Sequence, residues 1–189
     1  AAPVLFGFGG WGDSPENYSS YARMQTTEAN NEAIIVYPEG FERAWEAAPY
    51  AKTRDGEDIR FIKRILDSVD KDYHVDRNRV YAMGMSNGGG FTSVLGCHAQ
   101  DMFAAVAMVS GAFYTPVETN CADAPMHTLI MHGTKDGIVP PYFSQDWYNS
   151  ISSKDVEYVT WEGQKHEVFN EPAADQALDT VVDWLDRHA

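Results

Sequence analysis

The chain has 189 residues, 44% apolar and 22% charged, with 28 Asp and Glu against 14 Lys and Arg for a net charge of −14. That composition supplies a core for one domain spanning 1–189 and excludes a disordered polymer. The negative balance excludes nucleic acid and anionic membrane as partners, and no apolar run approaches the ~20 residues that cross a bilayer. The chain opens Ala1-Ala2-Pro3 without a methionine, from which a removed targeting segment is expected. Val4 to Phe8 then reads as a first strand, followed by a Gly-rich turn. Ser14-Pro15-Glu16 reads as a helix start, with Ser14 as the cap, Pro15 at the first helical position and an acid in the first turn. Ala33 to Tyr37 is a second strand, stopped by Pro38, and a polar loop through Trp45 and Pro49 follows.

Ile59, Ile62, Ile65, Leu66 and Val69 recur at helical spacing and predict a helix from about Gly56 to Asp70. A third strand is expected at Val80 to Met83, with a helix at about Gly88 to Cys97. Ala104 to Val109 and Leu129 to Met131 are the fourth and fifth strands. A helix around Phe143 to Ile151, a sixth strand at Val156 to Trp161 and a last helix at about Pro172 to Arg187 complete the series. Alternating strands and helices imply βαβ crossovers, so the predicted class is α/β with a mainly parallel sheet of about six strands. Helices on both faces explain near-continuous apolar strands such as Ala33 to Tyr37.

Gly84-Met85-Ser86-Asn87-Gly88 matches Gly-x-Ser-x-Gly, with a strand directly before it and a helical stretch after it. That is the strand–turn–helix of a nucleophile elbow. Such a turn strains the serine backbone and lifts its hydroxyl into a cleft, and the glycine positions admit no Cβ. Ser86 is therefore the candidate nucleophile.

A serine nucleophile needs a histidine base oriented by a carboxylate. On hydrolase sheets of this kind the chain order is Ser, then acid, then His, and the site lies beyond the C-terminal strand ends. Asp136 just past the fifth strand and His166 just past the sixth satisfy both conditions. His132 precedes Asp136 and is read as making a structural hydrogen bond. The oxyanion hole needs two backbone donors. Asn87, after the nucleophile, supplies one. The turn Phe8-Gly9-Gly10-Trp11-Gly12 supplies the other, with Gly10 favoured and Trp11 the alternative.

Cys97 and Cys121 form no Cys-x-x-Cys or zinc pattern, and are either two free thiols or one disulfide. No metal ligand set is expected. Asn17-Tyr18-Ser19 is a glycosylation sequon. Phe8, Trp11, Trp45, Phe113, Tyr114 and Trp161 either wall a cleft or belong to the core. Of these, Trp11, Trp45, Phe113 and Tyr114 are the candidate substrate contacts.

These motifs resemble the secreted α/β-hydrolases that include feruloyl esterases, acetylxylan esterases and polyhydroxybutyrate depolymerase-like esterases. The resemblance rests on Val36-Tyr37-Pro38-Glu39-Gly40 with Ala44-Trp45, Asp58-Ile59 and the block Arg79 to Gly89. Phe103-Ala104-Ala105, Val109-Ser110-Gly111-Ala112 and His132-Gly133-Thr134-Lys135-Asp136 continue it. It implies a three-layer α/β-hydrolase sandwich lacking the family's two leading strands. It also implies Ser86, Asp136 and His166 as the triad, and a Cys97–Cys121 disulfide. Phe8 stands where the family usually carries histidine, and Lys165 where it usually carries glycine.

The function expected is a serine carboxylic ester hydrolase working through an acyl-enzyme on feruloyl or acetyl esters of plant polysaccharide or a related polyester. No cofactor is required. The expected partner is a small or polymeric ester, and the protein is expected to be monomeric and secreted. Two competing readings are a non-catalytic binding protein on a hydrolase scaffold and an amide- or peptide-cleaving serine hydrolase.

Overall fold

The computed structural model describes residues 1–46, 48–113, 126–151 and 153–188. Among them, six strands make one sheet: β1 (Ala2–Phe8), β2 (Ile34–Val36), β3 (Val75–Met85), β4 (Ala105–Val109), β5 (His127–Gly133) and β6 (Val156–Trp161). Their spatial order is β2-β1-β3-β4-β5-β6, and each neighbouring pair is parallel. The helices are α1 (Pro15–Ala22), α2 (Ala29–Glu32), α3 (Glu57–Tyr73), α4 (Asn87–His98), α5 (Tyr142–Ser150) and α6 (Ala174–Arg187).

Strand alternation divides the core in two. Val4, Phe6 and Phe8 of β1 join Val80, Ala82, Val106, Met108 and Ile130 on one face, under Ile62 and Leu66 of α3, Phe91 and Leu95 of α4, and Trp147 of α5. Leu5, Tyr81, Met83, Ala107, Val109, Leu129 and Met131 fill the other face, under Tyr18 and Ala22 of α1 and Leu178, Val181 and Trp184 of α6. Burial on both faces makes the central strands apolar at nearly every position. This is the three-layer α/β-hydrolase sandwich.

Most elements fall where the residue pattern puts them. Ser14 caps α1, its side chain accepting the Asn17 N–H at 3.2 Å, and Pro15 starts the helix. The stripe Ile59, Ile62, Ile65, Leu66 and Val69 packs α3 on the sheet. Several elements run longer than expected, among them β1, which starts at Ala2, and β5, which spans His127–Gly133. The α3 helix continues to Tyr73, where His74 turns the chain in a left-handed conformation with φ 54°. The β3 strand begins at Val75, before the expected Val80, because Ala2 pairs with Val75 ahead of a register shift. Asp76 to Arg79 carry no apolar alternation, being largely at the surface. Arg77 is held there by Asp67 at 2.9 Å and Asp70 at 2.8 Å.

The chain leaves β1 for β2 on one side and returns to β3 on the other. Connections diverge at that point, so a crevice opens beyond the C-terminal ends of β1 and β3. The Gly-rich turn and the Gly-x-Ser-x-Gly motif both end there.

Candidate active site

Ser86 lies between β3 and α4 with φ 53° and ψ −117°. A non-glycine residue holds such a conformation only when its surroundings enforce it. Here the Ser86 N–H donates to the Val109 carbonyl at 3.0 Å, and its own carbonyl accepts from Gly90 and Ala112, each at 2.9 Å. The glycines are required sterically. A Cβ at Gly84 would lie 2.1 Å from the Gly88 carbonyl oxygen, and one at Gly88 would lie 2.1 Å from the Phe8 carbonyl oxygen.

Asn87 follows, 1% exposed. Its side-chain oxygen accepts the Trp45 N–H at 2.8 Å and its amide donates to the Trp45 carbonyl at 3.1 Å. The elbow is thereby fastened to the loop after β2. Trp45 itself is 2% exposed, stacked on Phe91 and edge-on to Phe8. This corrects the expectation that Trp45 contacts substrate: it is a core residue. Phe8 occupies the same aromatic cluster, fully buried, so the family's histidine position has become a packing position.

The turn after β1 passes over Ser86: a Cβ at Gly10 would sit 3.4 Å from the Ser86 Cβ. Its donors are not equivalent. The Gly10 N–H is already donated to Asp13 Oδ2 at 2.9 Å, and the same oxygen accepts the Tyr21 hydroxyl at 2.5 Å. The expectation that Gly10 supplies the oxyanion donor is corrected accordingly. Among the described residues, neither the Trp11 N–H nor the Asn87 N–H has a hydrogen-bond acceptor.

Asp136 and His166 come from the loops after β5 and β6, and both are buried. The two loops are stitched together. Lys135 N–H donates to the Gln164 carbonyl at 2.9 Å, Thr134 N–H to the Trp161 carbonyl at 3.0 Å, and Gly163 N–H to the Thr134 hydroxyl at 2.8 Å. Gly133 is where they touch, since a Cβ there would lie 2.3 Å from the Lys165 carbonyl oxygen.

Asp136 Oδ1 accepts the Ile138 and Val139 N–H groups, each at 2.9 Å. Oδ2 lies 2.7 Å from His166 Nδ1 and 3.0 Å from His132 Nε2. Burial alone would raise this carboxyl. The His132 and His166 hydrogen bonds, with the two backbone N–H groups, outweigh it and hold Asp136 well below the usual carboxylate range. An ionised carboxylate only accepts, so His166 Nδ1 carries the proton and Nε2 is left with a lone pair. Among the described residues no hydrogen bond joins Ser86 to His166; resting contacts of this kind are commonly loose and tighten on substrate.

Three roles were not read from the sequence. Asp13 anchors the Gly10 turn, the Asn87 side chain fastens the elbow, and His132 binds the acid. His132 is wholly buried. Its Nε2 reaches both Asp136 Oδ2 and the Val139 carbonyl at 2.8 Å, while Nδ1 meets the Ser144 hydroxyl at 2.7 Å. Two acceptors at Nε2 place the proton there. Its position at the end of an apolar strand, pointing into a core, was the signal available.

The remaining aromatics separate clearly. Phe113 is 8% exposed and stacked on Trp147. Trp11 is 67% exposed, its ring 4.7 Å from that of Tyr50. Tyr114 and Cys121 lie outside the described residues. Cys97 is buried near the end of α4.

A family model described as PETase, PET hydrolase-like, matches residues 60–189. Feruloyl esterase D of Neurospora crassa is 31% identical over 121 residues, covering 63% of this chain and 38% of that protein. Probable feruloyl esterase C of Aspergillus niger is 30% identical over 142 residues, covering 72% of this chain and 50% of that one. The chain thus spans half or less of the length of these relatives. Among solved structures, esterase PE8 superposes with a TM-score of 0.76 at 17% identity, over 100% of this chain and 94% of the other. That likeness carries the fold.

Proposed function

We propose, from the premise that this chain belongs to the PET hydrolase-like family, that it is a serine carboxylic ester hydrolase working through an acyl-enzyme. The observation that carries this reading is the buried Asp136–His166 pair at 2.7 Å, set on the same sheet edge as the strained Ser86. In this reading His166 Nε2 removes the Ser86 hydroxyl proton as Oγ attacks the ester carbonyl. The ionised Asp136 stabilises the imidazolium that forms. The Asn87 and Trp11 N–H groups receive the tetrahedral oxyanion, the Gly10 N–H being held by Asp13. The imidazolium then protonates the departing alcohol. Water activated by His166 releases the acid and restores Ser86.

The substrate class we propose is a carboxylic ester of plant polysaccharide, feruloyl or acetyl, or a related polyester. The exposed Trp11 ring, packed on the half-buried Tyr50 beside the oxyanion turn, supports it, offering an apolar surface next to the scissile bond. The named relatives are feruloyl esterases, which points the same way. We also propose a Cys97–Cys121 disulfide, a secreted location and a monomeric catalytic domain spanning 1–189. The absence of a free cysteine among the described residues supports the first, and a disulfide suits an oxidising compartment.

A hydrolysis panel of p-nitrophenyl acetate, methyl ferulate, acetylxylan, a short hydroxybutyrate oligomer and the amide matched to methyl ferulate tests the reading. Turnover of the esters with the amide left intact supports it. Amide cleavage at a comparable rate, or no turnover of any ester, overturns it.

A further inference from the structure

At the opposite edge of the sheet, away from Ser86, three side chains converge from separate elements. His127 opens β5, Asp155 immediately precedes β6, and His188 follows α6. Their ligand-type atoms all lie within 4.8 Å of one another. Ligands on one tetrahedral zinc at ~2.0–2.1 Å from the ion are about 3.4 Å apart, so small side-chain adjustments bring these atoms onto a common centre.

The proton placement is informative. His188 Nδ1 lies 2.7 Å from the Trp184 carbonyl oxygen, which can only accept. That contact fixes a proton on Nδ1 and turns Nε2 the other way, where it faces Asp155 Oδ2 at 3.6 Å. A metal-bound imidazole commonly has this arrangement, with its second nitrogen held by a backbone carbonyl. Asp155 Oδ2 is also within hydrogen-bond reach of His127 Nδ1. The His127 and His188 rings are 4.7 Å apart. The neighbouring cation, Arg187, is paired with Glu157 at 2.7 and 3.1 Å.

We propose that His127 Nδ1, Asp155 and His188 Nε2 form a binding site for a first-row divalent transition cation, with zinc the expected ion. Two imidazoles and one carboxylate suit zinc and disfavour calcium or magnesium, which prefer all-oxygen ligands. On binding, His127 holds its ring proton on Nε2, and the cation takes the place of any proton between Nδ1 and Asp155. Water completes the coordination. The ion would tie the end of α6 to the entry of β5 and β6, so its effect is on stability and not on the chemistry at Ser86.

The test uses the whole chain, stripped with EDTA, titrated with zinc chloride by calorimetry and followed by thermal unfolding. One tight equivalent and an upward shift in Tm are expected. His127→Gln, Asp155→Asn and His188→Gln should each weaken that equivalent by about tenfold or more and abolish the shift, with ester turnover in EDTA unchanged. Cobalt(II) should give visible absorption bands that the variants lose. Zinc binding that is equally tight in all three variants overturns the site. So does the absence of any saturable equivalent in the parent protein. His127 is partly exposed, so its variant tests the site even if the His188 variant fails to fold.

Discussion

His132, in β5, and His166, in the loop after β6, approach the same oxygen of Asp136 at 3.0 and 2.7 Å. The carboxylate is thus held by a wholly buried histidine and itself holds the buried His166. Two backbone N–H groups fix its other oxygen. Rotation of the carboxylate would break all four bonds, which is why its direction toward His166 is rigid.

His132→Ala should destabilise the fold. It removes a fully buried ring and leaves the Ser144 hydroxyl, the Val139 carbonyl and one lone pair of Asp136 short of a partner. An expected loss of about 2 kcal/mol or more follows, measurable by urea unfolding. A variant as stable as the parent would show that His132 contributes nothing to the acid's setting.

Asp136→Asn should lower kcat by about four powers of ten while the protein stays folded, because an amide no longer enforces the Nδ1–H tautomer of His166. Steady-state kinetics on a p-nitrophenyl ester read this directly.

The same residue has a stability signature. Its folded carboxyl is depressed, so it contributes stability that is present above the unfolded value of about 3.9 and is lost as pH falls below it. Parent stability should fall more steeply than that of Asp136→Asn from about pH 4 downward, in chemical denaturation at stepped pH.

Asp58 should behave with the opposite sign. It is 2% exposed beside the buried Glu46, and burial raises its carboxyl. A raised carboxyl favours the fold at low pH and loses that contribution as pH rises through and beyond about 4. Asp58→Asn keeps an oxygen to accept the Glu46 N–H and the Thr53 hydroxyl, both now bonded to Oδ2 at 2.7 Å. Its stability relative to the parent should therefore improve between pH 4 and 7.

Trp11→Ala should raise KM for methyl ferulate roughly 3- to 10-fold with little change for p-nitrophenyl acetate kcat, since it removes a ring surface and keeps the backbone donor. An unchanged KM would remove Trp11 from substrate binding.

The order of strands and helices was legible because the central strands are largely apolar and the α3 and α6 helices each carry one apolar stripe, as Ile59 to Val69 do. The placing of Ser86, Asp136 and His166 at one sheet edge was legible because glycine spacing and strand-end position are local signals. The choice between Gly10 and Trp11 was not. It depends on where the Asp13 carboxylate and the Tyr21 hydroxyl go, which only the turn's three-dimensional path decides. Trp45 was misjudged for a related reason: an aromatic in a polar loop looks exposed until Phe8 and Phe91 are seen to enclose it. The start of β3 was hidden because polar Asp76 to Arg79 separate Val75, which pairs with Ala2, from Val80.

The most direct test of the central claim is peptide-mapped mass spectrometry after treatment with a fluorophosphonate ester. The account predicts one adduct per chain, on the peptide containing Ser86, formed much more slowly in His166→Ala and absent in Ser86→Ala. An adduct on another residue, or an unmodified parent protein under conditions where it hydrolyses esters, would contradict it.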